Sequence, residues 1–233
     1  MDLGISGKTA LVTGASAGIG RAIAKSLAAE GVKLAVAARR RELLETLQDE
    51  IGAKLVIIEC DFMQETAPKT IADAALAGLG SVEILVNNAG GSRAFKLDAS
   101  EEQWNEALTL NFTRQRQLTH QLLEQMMARN WGRIVNITGK SEPEGINGAF
   151  CAKAAMHSWS KGLSREVGRH GITVNCIPPG RILSEQILRN YSPEYRKHQS
   201  EHEIPVASTA SRRTSRTWSA SSPRRARATS PAR

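Results

Sequence analysis

Three glycines in seven residues, Gly14, Gly18 and Gly20, stand between a short apolar run, Thr9 to Val12, and a helical period of Ile19, Ile23 and Leu27. Strand, glycine turn and helix in that order aim backbone N–H groups and the positive end of a helix at an anion. Glycine suits such a turn because a Cβ would block the close approach of a pyrophosphate. The spacing, G-x-x-x-G-x-G, differs from the standard dinucleotide fingerprint. The alternative is a tight strand-to-helix turn that binds nothing. The three cysteines, Cys60, Cys151 and Cys176, are far apart and odd in number, so they form no metal-ligand pattern and read as free thiols of a reducing cytoplasm.

The elements that position these residues follow along the chain. Val32 to Ala38 is a second apolar run, ending in Arg39, Arg40 and Arg41, and a helical face of Leu43, Leu44 and Leu47 comes next. Lys54 to Glu59 reads as a third strand and Thr70 to Leu79 as an Ala-rich helix. Val82 to Val86 reads as a fourth strand, running into Asn87-Asn88-Ala89-Gly90-Gly91. Ser100 and Gln103 form a capping box that opens one long helix to about Arg129. Arg133 to Thr138, a helix from Gly148 to about Gly168, and Ile172 to Cys176 complete the series, with Pro178-Pro179-Gly180 after it. Strands alternating with helices predict an α/β fold, a Rossmann-type doubly wound parallel sheet with helices on both faces. Ligands then bind at the carboxyl ends of the strands.

A chain of 233 residues can bury one large core. Nothing in it is long and apolar enough to span a membrane, and no signal peptide is evident, so a cytoplasmic location is expected. The net charge of +8 is local: residues 207–233 hold seven arginines and no acid, which leaves 24 basic against 23 acidic side chains in residues 1–206. A nearly neutral body argues against nucleic acid as the partner.

The motifs TGASAGIG at 13–20, Asp61, NNAG at 87–90, Asn111, Lys153 and PPG at 178–180 occur in one order. In that order the chain resembles the classical short-chain dehydrogenase/reductases, including 3-oxoacyl-carrier-protein reductase-like members, over about residues 5–204. The resemblance implies an NAD(P)-dependent oxidoreductase that interconverts a carbonyl and an alcohol of a small molecule. It also implies site residues. Gly14, Ser16, Ala17, Gly18, Ile19 and Gly20 would cradle the cofactor phosphates. Asp61, with Phe62 beside it, would hold the adenine. Asn88, Ala89 and Gly90 would line the adenosine ribose side, and Lys153, with Thr138 nearby, the nicotinamide ribose. Pro179, Gly180, Ile182 and Ser184 would hold the carboxamide. A homo-oligomer through the 101–129 and 148–168 helices is the family's arrangement, and no metal is implied.

Cofactor choice has a physical basis. A carboxylate at the end of the second strand would chelate the ribose hydroxyls and repel a 2′-phosphate. Ala38 holds that place and Arg39 follows it, so NADP (NADPH) is expected over NAD. The other reading is that Arg39 to Arg41 only begin a solvated helix face.

The catalytic pattern is incomplete. The family places a proton-donating Tyr four residues before the Lys and a Ser on the preceding loop. Here Ala149 and Gly139 stand in those places, and the loop between them is short. Asn111 and Lys153 are kept. Ser141 is the substitute expected to position a carbonyl, with Lys140, Glu144, Tyr191 and Tyr195 as further candidates. The alternative is an NADP-binding subunit with little or no turnover. The substrate pocket would be built from residues 91–99, 139–149 and 181–204.

Beyond Pro205-Val206 the composition shifts to Ser, Ala, Arg, Thr and Pro with no period. The chain therefore divides into a 1–206 dinucleotide-binding domain and a 207–233 basic tail, expected to be disordered. Back-translating Ser211 onward with GC-rich codons and reading one nucleotide earlier yields EPEDLADLVGVLASPRARYITGT. That string resembles the family's C-terminal helix and the approach to its last strand. A frameshift near residue 207 is the expectation, with that helix and a seventh strand missing. Resequencing the 3′ end of the gene checks it.

Overall fold

The computed structural model describes residues 3–93, 95–139, 145–180, 182, 187, 188 and 192–203. Ser141, Lys140, Glu144, Ser184, Tyr191 and the 207–233 tail lie outside the described residues.

Six strands form one parallel sheet in the order β3-β2-β1-β4-β5-β6. They are β1 (Thr9–Thr13), β2 (Lys33–Ala38), β3 (Val56–Glu59), β4 (Ile84–Asn87), β5 (Gly132–Ile137) and β6 (Ile172–Ile177). The doubly wound expectation holds, and the order reverses between β1 and β4, the switch point where such sheets bind ligands. β1 and β4 are buried along their whole length, which explains their near-continuous apolar sequence.

The helices are α1 (Gly18–Ala29), α2 (Arg41–Ile51), α3 (Ala67–Leu79), α4 (Glu101–Leu108), α5 (Arg114–Ala128), α6 (Gly148–Val167) and α7 (Pro193–Glu203). Two apolar clusters flank the sheet. Leu11, Leu85, Leu118 and Ile134 belong to one, and Val12, Leu34, Leu44 and Val86 to the other. Burial of side chains of this size contributes about 1.5–3 kcal/mol each.

Two elements differ from expectation. Helix α3 starts at Ala67, three residues early, because Pro68 fits the first turn, where its missing N–H costs nothing. The long helix to Arg129 is broken between α4 and α5 by a π-helical turn, Thr109–Thr113, that contains Asn111. Widening a helix to that register leaves carbonyls without their usual partners. The Asn111 side chain takes up one of them, donating from Nδ2 to Ala107 O at 2.9 Å.

A buried polar chain ties the helices to the sheet beneath the carboxyl ends of the strands. Asn87 Nδ2 donates to Thr119 Oγ1 (3.0 Å) and to Asn136 Oδ1 (2.8 Å), and Asn136 Nδ2 donates to Ser160 Oγ (2.8 Å). The Thr119 hydroxyl donates in turn to Gln115 O at 2.8 Å. Away from water such bonds fix register because leaving any member unpaired costs about 1–3 kcal/mol.

Candidate active site

The turn after β1 shows why its glycines are needed. A Cβ on Gly20 would lie 2.4 Å from Asn88 Nδ2 and 2.5 Å from Gly14 O, and one on Gly14 would lie 2.9 Å from Ala89 Cα. Gly18 has φ +61° and nothing within 4 Å of its would-be Cβ. The turn thus packs against the end of β4 on one side and is open on the other. Ala17 caps α1 in an extended conformation with no side-chain hydrogen bond, and the first turn of α1 contains no acid. The leading N–H groups of α1 are left for an external anion, which this positive helix end favours.

Thr13, which the sequence reading passed over, fastens this turn to NNAG. Its hydroxyl accepts from the N–H groups of Asn88 and Ala89, both at 3.0 Å, and donates to Val86 O at 3.3 Å. Asn88 Nδ2 donates to Thr13 O (3.0 Å) and Gly14 O (3.1 Å). Gln115 Nε2 reaches Ala89 O at 2.6 Å. The only sequence signal for Thr13 is its place, immediately before the first glycine. Arg21 secures the outer side of the turn, donating to Ser16 O and to Leu43 O, and pairing with Glu50 at 3.0 Å.

Arg39, Glu59, Cys60, Asp61, Gln64 and Thr70 line an open cleft of about 460 Å³ at the ends of β2 and β3. Arg39 and Asp61 both line it, while Phe62, expected beside the adenine, is buried in the core. Asp61 Oδ1 accepts from Met63 N at 3.0 Å, which sets the direction of its carboxylate. Burial and the neighbouring Asp61 raise the Cys60 thiol above its ordinary value, so it stays protonated. Glu59 is an acid that the sequence reading did not place beside Arg39.

At the other end, Lys153 is only 8% exposed and its Nζ donates to Ile137 O at 2.7 Å. Burial lowers its pKa to about 8, with Cys176 on β6 acting slightly against that shift. Asn111, 1% exposed, donates from Nδ2 to Gly91 O and accepts at Oδ1 from Gly91 N. The two side chains converge on Gly90: a Cβ there would be 2.8 Å from Asn111 Oδ1 and 3.3 Å from Lys153 Nζ. Thr138 Oγ1 is buried with no partner. Ala149 is buried at the start of α6, and among the described residues nothing nearer than Lys153 Cγ, at 3.9 Å, faces a Cβ on Gly139. Pro179, Gly180 and Ile182 follow β6, Gly180 with open space around it.

These features fit a dinucleotide. The glycine cradle and uncapped α1 suit a pyrophosphate, and the orphaned Thr138 hydroxyl and buried Lys153 suit a ribose. No group of three or more His, Cys, Asp or Glu side chains able to hold a metal occurs among the described residues.

Comparison with known proteins agrees. The family model for short chain dehydrogenases matches residues 8–195. Nodulation protein G of Rhizobium sp. (strain N33) is 40% identical over 184 residues, covering 77% of this chain and 75% of that protein. The 3-oxoacyl-[acyl-carrier-protein] reductase of Escherichia coli (strain K12) is 36% identical over 187 residues, covering 78% of this chain and 77% of that one. Among solved structures, L-sorbose reductase from Gluconobacter frateurii, complexed with NADPH and L-sorbose, superposes with a TM-score of 0.84 at 29% identity. That match covers 91% of this chain and 88% of that one. A 7α-hydroxysteroid dehydrogenase complexed with NADH and a 7-oxo bile acid superposes at 0.85 and 29% identity, covering 90% and 84%.

Proposed function

The chain belongs to the short-chain dehydrogenase family of NAD(P)-dependent oxidoreductases, and on that premise we propose that it interconverts a small-molecule carbonyl and alcohol with NADPH as its preferred cofactor. The observation that carries the preference is Arg39, exposed at the end of β2 in the cleft that holds Asp61, with Ala38 where a repelling carboxylate would stand. L-sorbose reductase, complexed with NADPH, supports the same reading.

The residues divide the work. The N–H groups from Gly14 to Gly20 bind the pyrophosphate, and Asp61 accepts from the adenine amino group. Asn88 and Ala89 hold the phosphate turn closed, so that Gly90 can lie against the ligand. Lys153, charged below about pH 8, donates to the ribose hydroxyls together with Thr138. Pro179, Gly180, Ile182 and Ser184 orient the carboxamide. When bound, the nicotinamide supplies or accepts the hydride. Asn111 holds Gly91, and so fixes the neighbouring Gly90 that faces Lys153. Self-association uses the exposed faces of α4, α5 and α6.

The test is cofactor binding followed by nicotinamide fluorescence. The Arg39→Asp variant should lose at least tenfold in NADPH affinity and keep or gain affinity for NADH. An unchanged ratio of the two dissociation constants sinks the preference. Ala149 and Gly139 favour a second reading, a cofactor-binding subunit with little turnover. Tight NADPH binding with no turnover across a panel of aldehydes and ketones selects it.

A further inference from the structure

Parallel pairing of β2 with β3 sets Ala38 opposite Glu59, so the residue after Ala38, Arg39, and the last residue of β3 share one rim of the sheet. Both are exposed, and both line the cleft that also holds Asp61, Gln64 and Thr70. No ion pair joins Arg39 to Glu59 among the described residues, so neither charge is consumed by the other. Arg41, by contrast, is engaged away from the cleft with Glu45 at 2.8 Å.

A cleft with a free guanidinium and a free carboxylate on adjacent strand ends gives two opposed answers to a ribose. The guanidinium favours a phosphate monoester at the 2′ position. The carboxylate accepts hydrogen bonds from vicinal hydroxyls and repels a dianion. Asp61, the other acid of the cleft, is directed by its bond to Met63 N, whereas the Glu59 carboxylate has no hydrogen-bond or ion-pair partner among the described residues. We propose that Glu59 is a specificity-determining residue that offsets Arg39 at the adenosine ribose and keeps NADH usable by this chain. The proposal rests on the NADPH reading above, and it supplies from β3 the acid that β2 lacks. A carboxylate at the outer strand end would act mainly through charge, so its effect should shrink as salt screens the cleft.

Adenosine 2′,5′-bisphosphate and 5′-AMP are probes that differ only in the phosphate at issue. Their dissociation constants are measured by competition against NADPH fluorescence, at low and high salt, for the full chain and for Glu59→Gln and Arg39→Ala. Because both side chains are exposed, thermal melts of both variants should overlay the wild type. Glu59→Gln should tighten the bisphosphate about tenfold at low salt, weaken 5′-AMP or leave it unchanged, and show less gain at high salt. Arg39→Ala should weaken the bisphosphate. If Arg39→Ala shifts the ratio of the two ligands and Glu59→Gln moves it less than twofold, the role of Glu59 is wrong and the NADPH reading stands. If Arg39→Ala leaves the ratio unchanged, the NADPH reading itself has failed.

Discussion

Lys153 carries a burden the sequence did not show. Its charge is buried and one carbonyl, Ile137 O, is its hydrogen-bond partner in the protein. Below about pH 8 the ammonium is charged in both folded and unfolded chains, and the folded chain bears the full cost of burying it. Above that point the folded chain gives up the proton while the unfolded chain keeps it. The unfolded state then binds more protons, so stability should rise with pH, by about 2 kcal/mol between pH 8 and pH 10. Lys153→Met should lack this rise, and urea titrations of both proteins across that range measure the difference. Parallel curves would mean that Lys153 titrates normally in the folded chain. The same pocket gives a second prediction. Among the described residues, a Ser at Gly139 meets Lys153 Cγ at ordinary contact distance and nothing closer. The double variant Gly139→Ser, Ala149→Tyr should therefore raise kcat toward a ketone about 100-fold, within the usual worth of a general acid. No gain, with NADPH affinity intact, would show that the donor is not what limits this chain. The glycines, Asp61, NNAG and Lys153 were legible as residue types at fixed spacings. Thr13 and Glu59 were not, because their roles come from what another strand brings alongside them.

All six strands were legible to within two residues at both ends, because burial on both faces of a parallel sheet leaves runs such as ALV and ILV with little else to be. The π turn was not. Its consequence for pattern is a shift in phase, and the buried face that would reveal the shift carries Asn111, Gln115 and Thr119 beside Leu118 and Leu122. Polar residues satisfied by backbone look like a solvated face in the sequence. The start of α6 shows the same effect on a smaller scale. Asn147 Oδ1 accepts from Ala149 N at 2.9 Å, and Nδ2 donates to Ser92 Oγ at 3.0 Å. Phe95 N donates to Ile146 O at 3.3 Å, and the Phe95 ring meets Trp104 edge-on at 5.1 Å. One side chain thus caps the helix that carries Lys153 and ties it to the loop after NNAG. Asn147→Ala should cost about 1–2 kcal/mol. Asn147→Asp keeps the cap and can still accept from the Ser92 hydroxyl, so it should lose less than Asn147→Ala in a denaturant titration. Equal losses for the two variants would show that the cap is not what Asn147 contributes.

β3 ends the order at one edge beyond β2, with α2 and α3 packed near it, and β6 ends it at the other. Exposure alternates along β6: Ile172, Val174 and Cys176 are turned away from solvent, while Thr173, Asn175 and Ile177 are exposed, Ile177 to 49%. Parallel sheets are normally covered on both faces. Among the described residues, no strand pairs beyond β6. Left unpaired by the described residues, its outer N–H and C=O groups form a template for another chain, and the exposed row on its face adds apolar area at Ile177. The chain should therefore associate in two ways, a discrete oligomer through α4 to α6 and an open-ended one through β6. Light scattering over a broad concentration range should show the apparent mass of the wild type climbing without a plateau. Lysines blunt strand edges by charge and solvation, so Thr173→Lys with Asn175→Lys should hold the mass at one discrete value. Cofactor affinity should be untouched, since Thr173 and Asn175 lie before the carboxyl end of β6 that leads to Pro179 and Gly180, and the phosphate cradle at β1 and β4 is two strands away. A double variant that scatters like the wild type would move the association off this edge.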